Sequence, residues 1–247
     1  MTGLLEKKTA FVTGAAAGLG LAIVETFAAA GARGIAFDPR SPERPLPKDW
    51  SHRAGDVRDE EGLGDALVSL QREGLDVLVA NAGVVPPWRE SESIDLNEWD
   101  NAFAINVRGV IATVKRAIPL MKVRGGSIVI MGSINSNLGH ARQAAYVASK
   151  HAVLGIARST AQDLGRHGIR VNALCPGPIA TPALLERLRN RAQTGGPSET
   201  EIMERYNQTA LGRIATAEEV ANAALFLASD LSSGITGQAI AVDGGAA

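Results

Sequence analysis

Cysteine is almost absent from this chain: Cys175 is the only one in 247 residues. An intramolecular disulfide framework is therefore excluded, and the composition suits a reducing compartment. Cys175 lies in an apolar run, which reads as a buried, inert thiol rather than a nucleophile. Net charge is −1, so no excess of either sign draws the chain to nucleic acid or to an anionic membrane. No apolar run approaches the roughly 20 residues that span a bilayer. The opening Met1-Thr-Gly-Leu-Leu-Glu-Lys-Lys8 is too short and too polar for a signal peptide. Internal repeats and low-complexity tracts are missing too. The expectation is a soluble, cytoplasmic protein with no nucleic-acid partner, no membrane partner and no metal site.

What is present is enough apolar material, 45% of residues, for a core covered on both faces. The length fits one large α/β domain, residues 1–247. Short β-like runs at residues 9–13, 34–38, 51–54, 77–80, 127–131, 170–175 and 239–242 alternate with helical periodicity. The helical stretches are 19–30, 60–73, 96–121, 144–165 and 217–228. This alternation predicts a doubly wound α/β fold, with a seven-stranded parallel sheet and helices on both faces. Val77-Leu-Val-Ala80 and Ile128-Val-Ile-Met131 are continuous apolar runs, as strands buried on both faces require.

Two segments break the rhythm. Residues 38–47 carry four prolines and cannot form a continuous helix, so an extended loop is expected. The second break runs from Pro176 to about Leu211. It starts Pro176-Gly-Pro178, contains Gly195-Gly-Pro197, and has a short helical pattern only near residues 199–207. Its length reads as a substrate lid, about 177–211.

Tyr146 and Lys150 sit four apart, thirteen and seventeen residues after Ser133. On a helix they share a face. Tyrosine, with an ordinary pKa near ~10, is a poor base at neutral pH, and a neighbouring ammonium favours phenolate. A phenol, a lysine one turn on and a hydroxyl from a strand end make a proton-transfer device. Upstream, Thr13-Gly14-Ala-Ala-Ala-Gly18-Leu19-Gly20 follows one strand and opens a helix. Glycines there permit a tight turn and close approach of backbone N–H groups to a pyrophosphate. Asp38 closes the second strand. A carboxylate there accepts the ribose hydroxyls of NAD and repels the 2′-phosphate of NADP, although a plain strand-end turn before proline also explains it. Ala17 supplies no cation for such a phosphate; Arg40, two residues from Asp38, is a candidate to meet one. A proton device beside a dinucleotide site makes hydride transfer.

Together these residues resemble the short-chain dehydrogenase/reductase family, over essentially the whole chain. The resemblance implies catalytic roles for Asn106, Ser133, Tyr146 and Lys150. Tyr146 would exchange the proton, Ser133 would hold the substrate oxygen, and Lys150 would also hold the nicotinamide ribose. Asn106, in the middle of a predicted helix where asparagine is unfavourable, would bend that helix and hold a water relaying protons to Lys150. For the cofactor the resemblance implies Gly14, Gly18, Leu19, Gly20, Asp38, Asp56, Val57, Asn81, Ala82, Gly83, Tyr146, Lys150, Pro176, Gly177, Ile179 and Thr181. Asp56 and Val57 would meet the adenine, but locally Asp56 fits a helix cap equally well. Asn81-Ala82-Gly83 resembles the family's N-A-G motif, and Asn81 is also placed to tie neighbouring strands. Residues 176–181 match the segment around the nicotinamide carboxamide, and fit a Pro/Gly turn just as well. Val242-Asp-Gly-Gly245 matches near the end. The proline loop at 38–47 departs from the family, which commonly has a helix there.

Substrate contacts are expected from Ser133, Asn135, His140, Gln143 and Tyr146, within a wall that includes residues 133–137 and 84–88; solvated loop positions explain the polar residues equally well. The leading function is an NAD-dependent oxidoreductase acting on a secondary alcohol or ketone, with a small polar sugar or polyol as a candidate substrate. The alternative is an NADPH-dependent 3-oxoacyl-carrier-protein reductase, for which Arg124 resembles a carrier-docking position. A non-catalytic nucleotide-sensing protein is the alternative from another class. The resemblance also implies a homotetramer built on residues 96–121 and 144–165. There Ala152, Gly155 and Ser159 either let subunits approach or face the sheet.

Overall fold

The computed structural model describes residues 3–193 and 195–246. Among them seven parallel strands form one sheet: β1 (Thr9–Thr13), β2 (Arg33–Phe37), β3 (Trp50–Arg53), β4 (Val77–Ala80), β5 (Gly126–Met131), β6 (Ile169–Pro176) and β7 (Ala239–Val242). Their order is β3-β2-β1-β4-β5-β6-β7. The winding reverses between β1 and β4, and a crevice opens at such a point beyond the C-terminal strand ends.

The period of two sorts each strand between two cores. Phe11, Ile35, Leu78, Ile128 and Ile130 face one way; Ala10, Val12, Ala36, Val79 and Val129 face the other. The first face is covered by α2 (Glu60–Val68), α4 (Val110–Met121) and α5 (Ala144–Leu164), through Leu63, Val114 and Leu154 among others. The second is covered by α1 (Gly18–Ala29) and α8 (Ala217–Ala228), through Ile23, Phe27 and Leu225. Each such fully buried side chain contributes about 1.5–3 kcal/mol of transfer free energy. On α5, Val153, Leu154 and Ala157 face the sheet, whereas Gly155 is exposed with open space above it. Of the two orientations open for the small residues, Gly155 therefore takes the outward one.

Several boundaries differ from expectation. The helix predicted over 60–73 ends at Val68. Beyond it Leu70, Gln71 and Glu73 make i→i−3 bonds that tighten the chain into turns, and Gly74 (φ 76°) reverses it. The helix predicted over 96–121 is broken into α3 (Leu96–Phe103), a π-helical segment Ala104–Gly109, and α4. Two features accompany the break. The Asn106 amide is claimed by the backbone of Val84, and Gly109 leaves room for Val57, since a Cβ there would lie 2.6 Å from the valine Cγ2. The 38–47 segment is a loop as the prolines require, anchored by the Glu43 N–H donating to the Ala16 carbonyl. The second break holds more helix than expected: α6 (Pro182–Gln193) precedes α7 (Glu199–Tyr206). Pro182 occupies the first helical position, where proline is favoured, and the Thr181 hydroxyl accepts from the Leu184 N–H. Among the described residues no helix is long and apolar enough to cross a membrane.

Candidate active site

A cleft of about 830 Å³ runs along the C-terminal strand ends. All the cofactor candidates line it, from Gly14 to Thr181. Gly14 (φ 65°) and Gly18 (φ 53°) adopt left-handed backbone that side chains disfavour. A Cβ at Gly14 would lie 2.7 Å from the Ala82 Cα, and one at Gly20 would collide with the Gly14 carbonyl. The turn, β4 and α1 thus close on one another only as glycines. Helix α1 starts with no side-chain cap and no acidic residue in its first turn. By contrast α2, α3, α7 and α8 are capped by Asp59, Asp95, Ser198 and Thr216. An uncapped helix start beside a glycine turn fits a diphosphate.

At one end of the cleft the buried Asp38 carboxylate is fixed by two backbone donors, Ala16 N–H at 3.2 Å and Arg40 N–H at 3.0 Å. The Arg40 guanidinium stands 3.5 Å from it with a side chain 72% exposed, so the pair is weak. Asp56 lines the cleft but is paired with Arg58 at 2.6 Å, which holds its carboxyl below the usual range. It is not the cap of α2; Asp59 is, accepting from the Glu61 and Gly62 N–H groups. Asn81 ties strand ends together: its Nδ2 donates to the carbonyls of Thr13 (3.0 Å) and Gly14 (2.9 Å). Gly177 is braced by the end of β7, its N–H donating to the Val242 carbonyl at 3.1 Å. That bracing accounts for the Val242–Gly245 motif.

Midway along the cleft, Ser133, Tyr146 and Lys150 converge. Ser133 follows β5, where its hydroxyl caps a short 3₁₀ turn by accepting from the Asn135 N–H at 3.2 Å. Tyr146 and Lys150 come from the first turns of α5. Burial pushes the Tyr146 phenol up, while the Ser133 hydroxyl and the Arg187 cation pull it down. The Lys150 ammonium donates to the Met131 carbonyl at 2.7 Å and lies 5.8 Å from the Tyr146 ring centroid. Burial lowers it to about 8. Two cations therefore stand near the phenol, Lys150 on its own helix and Arg187 on α6. Asn106 lies behind the cleft wall, fully buried and not solvated. Its Oδ1 accepts from the Val84 N–H (2.8 Å), and its Nδ2 donates to the Val84 carbonyl (2.9 Å) and the Ser149 hydroxyl (3.0 Å). Ser149 in turn donates to the Tyr146 carbonyl at 2.8 Å, so Asn106 holds the start of α5. The Cys175 thiol is buried and pushed up by that burial, in keeping with an inert group.

The far end is walled by Asn135, His140 and Gln143 as expected, with Val84, Val85 and Trp88 opposite. Asn137 is exposed and does not line the cleft. The Asn135 Nδ2 donates to the Gln143 Oε1 at 3.2 Å, leaving the Asn135 Oδ1 buried and unpartnered. Helices α6 and α7 close over this end on a small core of their own, Leu184, Leu188 and Ile202, against which Trp88 and Tyr206 pack. Arg191 stacks over the Trp88 ring at 4.1 Å, joining the lid to the opposite wall.

The profile of a family described as Enoyl-(Acyl carrier protein) reductase matches residues 14–247. The D-beta-hydroxybutyrate dehydrogenase of Rhizobium meliloti (strain 1021) is 32% identical over 256 residues, covering 96% of this chain and 98% of its own. Two solved structures superpose closely. The ligand-free aldohexose dehydrogenase of Thermoplasma acidophilum has a TM-score of 0.90 at 33% identity, over 100% of this chain and 96% of its own. The carveol dehydrogenase of Mycobacterium avium, in complex with NAD, has a TM-score of 0.88 at 33% identity, over 99% of both chains. The chain belongs to the short-chain dehydrogenase/reductase family. It is an oxidoreductase that acts on CH–OH groups and binds a nicotinamide cofactor.

As a short-chain dehydrogenase/reductase, the protein has cleft residues that sequence reasoning missed. Phe37 flanks Asp38, and Leu184, Arg187 and Tyr206 complete the far end. The overlooked signal was Thr181-Pro182, a capping residue followed by a first-turn proline, which starts α6 and sets Leu184 and Arg187 three apart on one face. Arg124 stands just before β5, at the N-terminal strand ends away from the cleft, donating to the Glu73 carbonyl and 3.8 Å from Asp76.

Proposed function

We propose that the protein interconverts a small secondary alcohol and its ketone with NAD(H) preferred over NADP(H). The reading is carried by one observation: Ser133, Tyr146 and Lys150 converge halfway along a cleft whose end holds the fixed Asp38 carboxylate. In this reading the α1 start and its glycine turn hold the diphosphate, and Asp38 accepts the adenosine ribose hydroxyls. Lys150 holds the nicotinamide ribose, and residues 176–181 hold the carboxamide. The nicotinamide, when bound, accepts or supplies the hydride. The Ser133 hydroxyl orients the substrate oxygen and the charge that develops on it. The Tyr146 oxygen takes the hydroxyl proton in oxidation and returns it in reduction. Asn106 acts through α5, keeping Tyr146 and Lys150 in register.

The finer statements rest on specific features. A 2′-phosphate would meet a buried carboxylate held by two backbone donors, which supports NAD. We read residues 1–247 as one catalytic unit with 177–211 as its lid, and the protein as a cytoplasmic homotetramer. The outward face of α5, with Gly155 in open space, supports the oligomer. The acyl-carrier reading is favoured by the matching family's description, but Arg124 is engaged by the Glu73 carbonyl. Turnover of secondary alcohols and of 3-oxoacyl thioesters, each with NAD(H) and NADP(H), separates the two. The proposal expects higher kcat/KM with NADH than with NADPH, on alcohols or ketones; preference for NADPH with an acyl thioester would replace it.

A further inference from the structure

Arg187 on α6 lines the substrate end of the cleft. Among the described residues its guanidinium makes no hydrogen bond and no ion pair, and its Nε is buried without a partner. The arginines beside it on α6, and Arg142 before α5, do not line the cleft and are engaged. Arg189 pairs with Glu199 at 3.2 Å, Arg142 faces Glu90 at 3.5 Å, and Arg191 stacks on Trp88. Glu186, next in the chain, forms no ion pair with Arg187. Burial depresses the guanidinium, and only Tyr146 and Tyr206 pull it back. An arginine does not deprotonate in a protein, so this end of the cleft holds a partly buried positive charge that no anion pairs, although the exposed Glu186 also lines the cleft. Such a charge is unfavourable in the free protein and becomes favourable when an anion pairs with it.

We propose that Arg187 is a carboxylate-binding residue and that the substrate is a secondary hydroxy acid or the matching oxo acid. The acid is held by Arg187 and the Tyr206 hydroxyl while its carbinol meets Tyr146 and Ser133. This rests on the oxidoreductase reading and narrows its substrate class. A guanidinium fork matches a carboxylate with two parallel hydrogen bonds. The cations lining the cleft are Arg40, Lys150 and Arg187, and only Arg187 stands at the substrate end. One cation suits a monoanion better than a phosphate dianion. An acyl thioester would bring no charge to it at all. Val84, Val85 and Leu184 around the site are apolar, which strengthens a charged pair by excluding water. The reaction balances without a further reagent. The carbinol C–H hydride passes to NAD⁺, the hydroxyl proton passes to the Tyr146 oxygen, the C–O single bond becomes a carbonyl, and the carboxylate is unchanged.

The test is a series of hydroxy acids with a lengthening spacer: 3-hydroxybutyrate, 4-hydroxypentanoate and 5-hydroxyhexanoate. Each is assayed with NAD⁺ beside its primary amide and beside a neutral 2-alkanol. At the best spacer the acid should exceed its amide in kcat/KM by at least about tenfold. Arg187→Met should lower that acid-to-amide ratio by about 10- to 100-fold, the range expected for loss of a charge-assisted bond, and Arg187→Lys should lower it less. NADH titration of each variant reports that it is folded. A measurement on the unmodified protein gives an independent readout: butyrate and hexanoate should bind the NADH complex at least tenfold more tightly than butyramide and hexanamide. Equal use of acids, amides and neutral alcohols would overturn the proposal and leave the oxidoreductase reading standing. So would an Arg187→Met variant that loses acid and amide activity alike. A phosphomonoester preferred over the carboxylate of equal spacer would overturn the carboxylate assignment. No reduction of NAD⁺ by any alcohol in the series would overturn the broader reading as well.

Discussion

At the scale of single residues, the account turns on one phenol. Tyr146 is pushed up by burial and pulled down by Ser133 and Arg187. A phenol raised in the folded state is protonated at neutral pH, ready to donate in reduction. Accepting a proton requires phenolate, so alcohol oxidation should rise with pH as Tyr146 ionises. Tyr146→Phe keeps the ring and removes the titrating oxygen. It should lower kcat by roughly 10²–10⁴-fold, abolish the rising limb and leave NADH affinity nearly unchanged; rate profiles and NADH titration check this, and near-wild-type turnover would refute it. Lys150→Ala should harm both kcat and cofactor binding, since one buried ammonium serves both. Tyr146, Lys150 and Ser133 were legible because their spacing is local and a helix converts it directly into a shared face. Asp38 and the glycine turn were legible for a similar reason, lying at the ends of adjacent elements. Arg187 was not, because its significance is the lack of a partner, which only three-dimensional neighbours reveal.

Elements carry the second level of the account. Within the π-helical segment at Ala104–Gly109, Asn106 exchanges hydrogen bonds with both backbone groups of Val84 and with Ser149. Asn106→Ala removes the partner of both Val84 backbone groups, while Ser149 keeps its bond to the Tyr146 carbonyl. It should destabilise the fold by about 2 kcal/mol, within the usual cost of unsatisfied buried polar groups, and a urea titration showing under about 0.5 kcal/mol would contradict this role. Thr216 caps α8 in a reciprocal box with Glu219. Thr216→Ala should cost about 1 kcal/mol and lower Tm by about 2–4 °C without changing kcat. The sheet was readable from apolar runs of four to six residues, and the proline loop after β2 from composition alone. The π segment was not readable as such: asparagine announced that something was unusual, but the competing backbone partner lies more than twenty residues away. Helix α6 was not anticipated because its start, Pro182, follows closely on the Pro176-Gly-Pro178 turn, and as a whole the segment reads as a lid loop. The end of α2 was misjudged because its periodicity continues into turns.

On the scale of the whole molecule, a rigid two-sided sheet presents one cleft, and a pair of helices with a small separate core covers its substrate end. A lid with a small apolar core of its own, Leu184, Leu188 and Ile202, should open more readily than the sheet it covers. Hydrogen exchange over residues 181–207 should slow on addition of NADH and a substrate analogue, while the strands change little; unchanged exchange in the lid would count against closure. Substrate selection was the least legible property in the sequence, because it is assembled from the loop after β4, the turn after β5 and two lid helices. The central claim is that this cleft moves a hydride between a carbinol carbon and a nicotinamide. The most direct measurement supplies a secondary alcohol deuterated at its carbinol carbon, with NAD⁺, and follows the label by mass spectrometry. The account predicts deuterium on the reduced nicotinamide, one label per ketone formed. Deuterium released to water, or ketone formed without reduction of the nicotinamide, would contradict it.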